Sequence, residues 1–309
     1  SRQTKLYTAF FLIYFIWGST YLAIRYAIGS IPPFLMAGTR FFAAGVLMFL
    51  FLRWRGVPTP PWSQWWRLGI VGVFLFLGGN GLVVWAEQYI DSGLAALLVS
   101  TLPLWLIVLD WLWAAGPPPK PLALIGIALG VLGTVVLIKP ELVLPALAAQ
   151  DNYLQGVPTE DADDNLASGI VIFASVLWAI GSIYTKKFTK PKSIFMSAAC
   201  QMVGGGIALL LVALWQGEWA QFEPASVTLV SVAGFSYLLC FGSMVAISAY
   251  AWLLQNASAA AVSTYAFVNP IVALLLGWLI ADEPMTAAII AGAGIILVGV
   301  VLVIRTSSK

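Results

Sequence analysis

The side chains of this sequence with chemistry to offer are polar and aromatic residues set at helical spacing inside long apolar runs. Tyr14, Trp17 and Tyr21 recur at intervals of three and four and share one helix face, and Ser175, Trp178 and Ser182 repeat that spacing later in the chain. Tryptophan favours the membrane interface over the middle of a span. Trp17 and Trp178 therefore read either as paired walls of a cavity that stacks on an apolar or aromatic ligand, or as helix-packing residues. Asn80 stands among Gly78, Gly79 and Gly81, where its amide needs a substrate, a water or another helix as partner. Ser100 and Thr101 precede Pro103, and Ser263, Thr264 and Asn269 precede Pro270. A proline inside a helix frees the carbonyl four residues earlier, here Val99 and Ala266, so these carbonyls and the nearby hydroxyls are candidate partners for an ammonium or a carboxylate. Pro103 and Pro270 are also candidate hinges. The alternative is that each hydroxyl bonds back to its own helix. Arg40 is the seventh residue of its apolar run and at that depth costs about 2.5–3.5 kcal/mol on insertion scales. Glu87 is its expected partner in a structural ion pair, with a substrate anchor as the alternative.

Other chemistry has few candidates. The chain has no histidine, which removes the usual metal ligand and proton-transfer residue. Cys200 and Cys240 fall in apolar runs, which argues against a disulfide framework. Intramembrane proteolysis needs a Ser/His pair, a metal or two buried aspartates, and Asp110 stands alone near the end of a span. No enzymatic activity, cofactor or metal is expected.

The elements that must position these residues are membrane helices. With 61% hydrophobic and 9% charged residues and a mean hydropathy of +0.94, the chain is far below the roughly 25% charge typical of soluble domains. Ten runs are long enough to span about 30 Å of hydrocarbon: 6–27, 34–52, 68–90, 93–113, 121–138, 168–186, 193–215, 226–253, 258–280 and 285–304. The first lacks a small-residue cleavage site and reads as a span, not a signal peptide. With the N-terminus in the cytoplasm, twelve Lys and Arg residues lie inside and only Arg25 and Lys139 outside, as the positive-inside rule requires. Both termini are then cytoplasmic.

The chain also repeats itself. Trp17, Arg25, Arg40 and Gly45 match Trp178, Lys186, Gln201 and Gly206 at an offset of 161, and Trp85, Gln88 and Pro103 match Trp252, Gln255 and Pro270 at 167. Five spans per repeat is an odd number, so the second copy enters the membrane from the opposite side. The expected architecture is an all-α polytopic membrane protein of ten transmembrane helices in two inverted five-helix repeats, 1–138 and 168–309, joined by an exposed periplasmic linker, 139–167.

WGSTYLAIR at 17–25, Arg40 at its span, QYIDSGLAALLVSTLPL at 88–104, VNPIVALLLGWLIADEP at 268–284 and GIILVGVVLV at 294–303 together resemble the EamA family of the drug/metabolite transporter superfamily, across both repeats. Within it the chain is most similar to YddG-type exporters of amino acids, particularly aromatic ones. The resemblance implies a multi-pass protein of the bacterial inner membrane that exports amino acids or similar small metabolites by alternating access. One departure is visible: the acidic residue the family carries before the fifth and tenth spans is present as Glu283 in the second copy, whereas Gly116 stands in the first.

The site residues expected to contact substrate are Tyr14, Trp17, Tyr21, Asn80, Ser100, Thr101, Trp178, Ser182, Ser263, Thr264 and Asn269. With no histidine and few deep ionisable residues, a proton relay has little to run along, so transport is expected to be facilitated or weakly coupled. The partners are a small-molecule substrate and the lipid bilayer, with no nucleic acid, and the working unit is expected to be a monomer. A multidrug or other metabolite exporter of the same superfamily is the alternative: a lipophilic drug needs mainly aromatic walls, whereas an amino acid also needs partners for its two charges. A channel is disfavoured because no ring of repeated charges appears, and a membrane scaffold would leave the duplication and the mid-span polar groups unexplained.

Overall fold

A computed structural model describes residues 2–113, 118, 120–138, 140–144, 162–188, 193–256 and 265–307. Every regular element among the described residues is helical, as a chain that must satisfy its own backbone in lipid requires. Among the described residues, seven stretches are long and apolar enough to cross a membrane, and three shorter apolar helices, Pro121–Leu137, Val268–Ile280 and Ala287–Leu302, accompany them.

Helix α1 is Arg2–Ile28 and α2 is Pro33–Trp54. Helix α3 spans Trp62–Ala86 and carries a π-helical segment, Val73–Gly81, in its middle. The run at 93–113 is two helices, α4 (Ser92–Val99) and α5 (Leu102–Trp113), broken at Ser100 and Thr101. Pro103 therefore lies in the first turn of α5, where a missing N–H costs little. Helices α6 (Pro121–Ile138), α7 (Ala162–Phe188) and α8 (Ile194–Trp215) follow. Helix α7 starts at Ala162, so residues 162–167, expected in the linker, are helical; 145–161 lie outside the described residues. A one-turn helix α9 (Glu218–Gln221) precedes α10, which is built from Leu229–Tyr237, a second π-helical segment Leu238–Val245, and Ala246–Asn256. Helices α11 (Tyr265–Ile280, with Pro270 inside it) and α12 (Ala287–Ser307) close the chain.

The helices pair across the two halves. Helix α2 packs along α8, α6 along α12, α1 against α10 and α11, and α7 against α3 and α5. Small residues set the closeness of these pairs, because between helices in lipid it is packing and not water exclusion that drives association. A Cβ at Gly45 would sit 2.8 Å from the backbone nitrogen of Val203, and one at its sequence match Gly206 would sit 2.5 Å from that of Phe42. The main buried cluster fills the space where α2, α3 and α8 meet, with Met36, Phe41, Phe76, Met202 and Leu209 at its centre.

Candidate functional site

Each tryptophan of the matched pair is held by the opposite half of the chain. Trp17 on α1 donates from Nε1 to the carbonyl of Gly242 in the second π-helical segment, at 3.3 Å. Its ring lies 5.2 Å from both Tyr250 and Tyr265. Trp178 on α7 lies edge-on to Phe76 at 6.4 Å, and its ring atoms come against Gly79, both in the first π-helical segment. The two are linked through a run of contacting groups: Phe76 tilted against Phe41 at 4.5 Å, the Arg40 guanidinium over Phe41 at 4.4 Å, and Arg40 Nε donating to Ser243 Oγ at 2.9 Å, next to Trp17's acceptor Gly242. Arg40 thus sits between the two tryptophans. A guanidinium over an aromatic face keeps its edge free for an anion.

The expected Arg40–Glu87 ion pair is not formed. The ion pairs among the described residues both belong to Arg25. Arg40 is 3% and Glu87 5% exposed, yet Arg40 Nη1 and both Glu87 carboxylate oxygens have no hydrogen-bond partner. The rotation that stacks Arg40 on Phe41 and turns its Nε to Ser243 directs it at α10 instead of the end of α3. Asn80, seven residues before Glu87 in α3, also keeps a buried Oδ1 without a partner.

The Tyr14 ring lies 5.7 Å from that of Phe10, against the buried cluster of Ile13 and Leu253. Ser100 and Thr101 donate back to the carbonyls of Leu97 and Leu98 at 2.6 and 2.7 Å, and Thr101 Oγ1 accepts from Trp105. Ser182 bonds back to the Trp178 carbonyl at 2.8 Å. Asn269 is buried, and with its amide oriented so that the nitrogen donates, it reaches the carbonyls of Tyr265 and Tyr14 at 3.1 and 3.2 Å, tying α11 to α1. Tyr21 packs on the cluster of α3, α4 and α7 around Val83, Leu98 and Val171. Ser263 and Thr264 lie outside the described residues.

One cluster was not anticipated from the sequence. Arg25, one turn beyond Tyr21 on α1, binds Asp91 at 2.6 Å and Glu283 at 2.5 Å. Glu283 also accepts from Ser92 N at 3.0 Å, Ser92 Oγ at 2.6 Å and Gly93 N at 3.0 Å. A carboxylate from the α11–α12 loop thereby caps the N-terminus of α4, where anions are favoured, and clamps α1, α4 and α11 together. Burial, then the charge of Glu283, raises the pKa of Asp91, and the bond from Arg25 opposes them. The signal in the sequence was Glu283 immediately before Pro284. Glu218 makes a similar cap nearby, accepting from Phe34 N at 3.2 Å and Leu35 N at 2.7 Å at the start of α2. At the other end of the bundle the helices part around a crevice of about 790 Å³, lined by apolar residues such as Leu12, Met48, Leu52, Met244 and Trp252.

Comparison with known proteins agrees with this architecture. The inner membrane transporter YedA of Escherichia coli strain K12 is 36% identical over 302 residues, covering 96% of this chain and 90% of that one. Protein PecM of Dickeya dadantii is 28% identical over 290 residues, 93% of this chain and 88% of the relative, and the transporter YoaV of Bacillus subtilis is 24% identical over 304 residues, 95% and 94%. A solved crystal structure shares the fold with a TM-score of 0.63 at 17% identity, covering 98% of this chain and 96% of the other. The apolar spans and these relatives make the chain a multi-pass protein of the inner membrane. The profile of the EamA-like transporter family matches twice, at residues 4–139 and 166–305, each match holding one of the two reciprocally placed tryptophans, and the chain belongs to that family.

Proposed function

We propose that the protein is an exporter of amino acids, aromatic or other neutral ones, akin to the YddG type. In this reading ten helices, arranged as two inverted five-helix repeats with a periplasmic linker at 139–167 and both termini in the cytoplasm, work by alternating access. The observation that carries it is the reciprocal placement of Trp17 and Trp178, each seated on the opposite half, with Arg40 between them. Two aromatic walls and a buried cation between two halves suit a small ligand with an apolar side chain and an anionic group. In this orientation the Arg25, Asp91 and Glu283 cluster lies at the periplasmic end and the apolar crevice at the cytoplasmic end. The prolines at 103 and 270, and the helix break beside the first, are the hinges about which the halves would rock.

The test is counterflow of a panel of radiolabelled neutral amino acids into liposomes holding the purified protein, beside Trp178→Ala. Exchange by the native protein and its loss in the folded variant is the expected result. The apolar crevice lends weight to one other reading, a multidrug exporter. Movement of lipophilic cations with no amino-acid exchange would decide for that reading.

A further inference from the structure

Buried polar atoms without partners are uncommon in folded proteins, and buried charges without partners more so. This chain gathers three such groups in two neighbouring helices. Arg40 on α2 offers an unused donor, Nη1; Glu87 at the end of α3 offers two unused acceptors; Asn80, on the same helix, offers a third in Oδ1. Helices α2 and α3 are in contact. Arg40 and Glu87 lie within reach of each other's charge without touching, so something of their own polarity belongs between them or against each.

The set is complementary to one chemical class. A lone anion would satisfy Arg40 and leave Glu87 bare, and a lone cation would do the reverse. A ligand carrying a carboxylate and an ammonium on one carbon atom satisfies both. The aromatic surfaces beside them, Phe41 under the guanidinium and Trp178 against Gly79 next to Asn80, suit an apolar side chain.

We propose that Arg40 binds the carboxylate of an α-amino acid and that Glu87 and Asn80 bind its ammonium. The two charges are the poles of a zwitterion site, not a structural pair. This rests on the amino-acid reading above and adds which residues read the two charges. Arg40 has no charged counterpart in the second half, where Gln201 stands at the matching position, so the charge reading belongs to the first half alone.

The experiment is counterflow with the best-exchanged neutral amino acid from the panel, competed by the same amino acid, its methyl ester and its N-acetyl derivative, on the native protein and on Arg40→Gln and Glu87→Gln. The native protein should be competed at least tenfold more weakly by either blocked derivative than by the parent. Arg40→Gln should raise the KM at least tenfold and lose the discrimination against the ester. Glu87→Gln should raise the KM and lose the discrimination against the N-acetyl form. Equal competition by all three compounds on the native protein overturns the proposal without needing any variant to fold, as does an unchanged KM in folded Arg40→Gln. Recovery of native exchange in the double variant overturns it too, because it would mean that the two charges serve only one another. Absence of any amino-acid exchange by the native protein is a different failure: it removes the functional reading itself.

Discussion

The carboxylate of Glu283 gives the sharpest quantitative expectation. It is 5% exposed and accepts four hydrogen bonds, from Arg25 Nη1, Ser92 N, Ser92 Oγ and Gly93 N. Replacing it with glutamine preserves shape and removes the charge. One oxygen can still accept, while the new NH₂ group faces donors. Hydrogen bonds to a charged group contribute about 1.5–3 kcal/mol against about 0.5–1.5 for neutral ones, and removing one partner of a buried ion pair costs about 3–5 kcal/mol. Arg25 is 36% exposed and keeps Asp91, so the lower figure, about 3 kcal/mol, is the ceiling. That is a factor of about 100 in the equilibrium between this clamped arrangement and any in which α1, α4 and α11 separate. Hydrogen exchange read by mass spectrometry reports it directly. Peptides covering Ser92 and Gly93, and those covering Tyr26 and Ile280, which are joined by a hydrogen bond at 3.2 Å, should exchange up to about 100-fold faster in Glu283→Gln. A peptide across the start of α2 should not change. If only Ser92 and Gly93 respond, Glu283 is a helix cap and no clamp. If nothing responds, the energetics assigned to it are wrong.

Other expectations follow from the packing and the loops. Gly206→Leu should destabilise the α2–α8 pair by about 1–3 kcal/mol, seen as a lower melting temperature in detergent, because a side chain there meets the Phe42 backbone at 2.5 Å. Glu218→Ala should cost about 1–2 kcal/mol by orphaning the amides of Phe34 and Leu35, with Glu218→Gln recovering most of it. Burial is the larger influence on Glu218 and raises its pKa, against the two backbone bonds that lower it. A carboxyl whose folded pKa is raised holds its proton to higher pH when folded. Its contribution to stability is therefore fullest below the ordinary carboxylate pKa and is lost as pH rises to the raised value. Melting followed across that window should slope downward with pH more steeply in the native protein than in Glu218→Gln. For transport, a pH gradient imposed without a substrate gradient should drive no uptake into vesicles, and uptake under that condition would refute facilitated transport.

Much of the framework is legible in the sequence because it rests on one-dimensional signals. Apolar length marks the spans, and the matched glycines at 45 and 206 mark a close helix approach. The matched tryptophans at 17 and 178 identify a face of each helix. What spacing alone does not carry is rotation about a helix axis. Arg40 and Glu87 are reasonable partners by depth, yet Arg40 turns to Ser243, more than two hundred residues away in sequence. The π-helical segments in α3 and α10 change the register of whatever follows them, and no composition rule announces them. Gly242's carbonyl, the acceptor for Trp17, is a backbone atom exposed by such a segment and leaves no trace in side-chain pattern. The charged clamp escapes for another reason: Glu283 stands out before Pro284, but Arg25 and Asp91 look like ordinary loop-flanking charges until three helix ends converge.

The π-helical segments at Val73–Gly81 and Leu238–Val245 have a mechanical consequence. Each contains wider turns than the α-helix around it, holding residues that an α-helical path would not need in the same turn. Every α-helical residue advances the chain by about 100° and 1.5 Å. Taking up one surplus residue would swing the far half of its helix by about a quarter-turn with little change in length. Helices α3 and α10 therefore each carry a stored twist, coiled beside the tryptophan that leans on it.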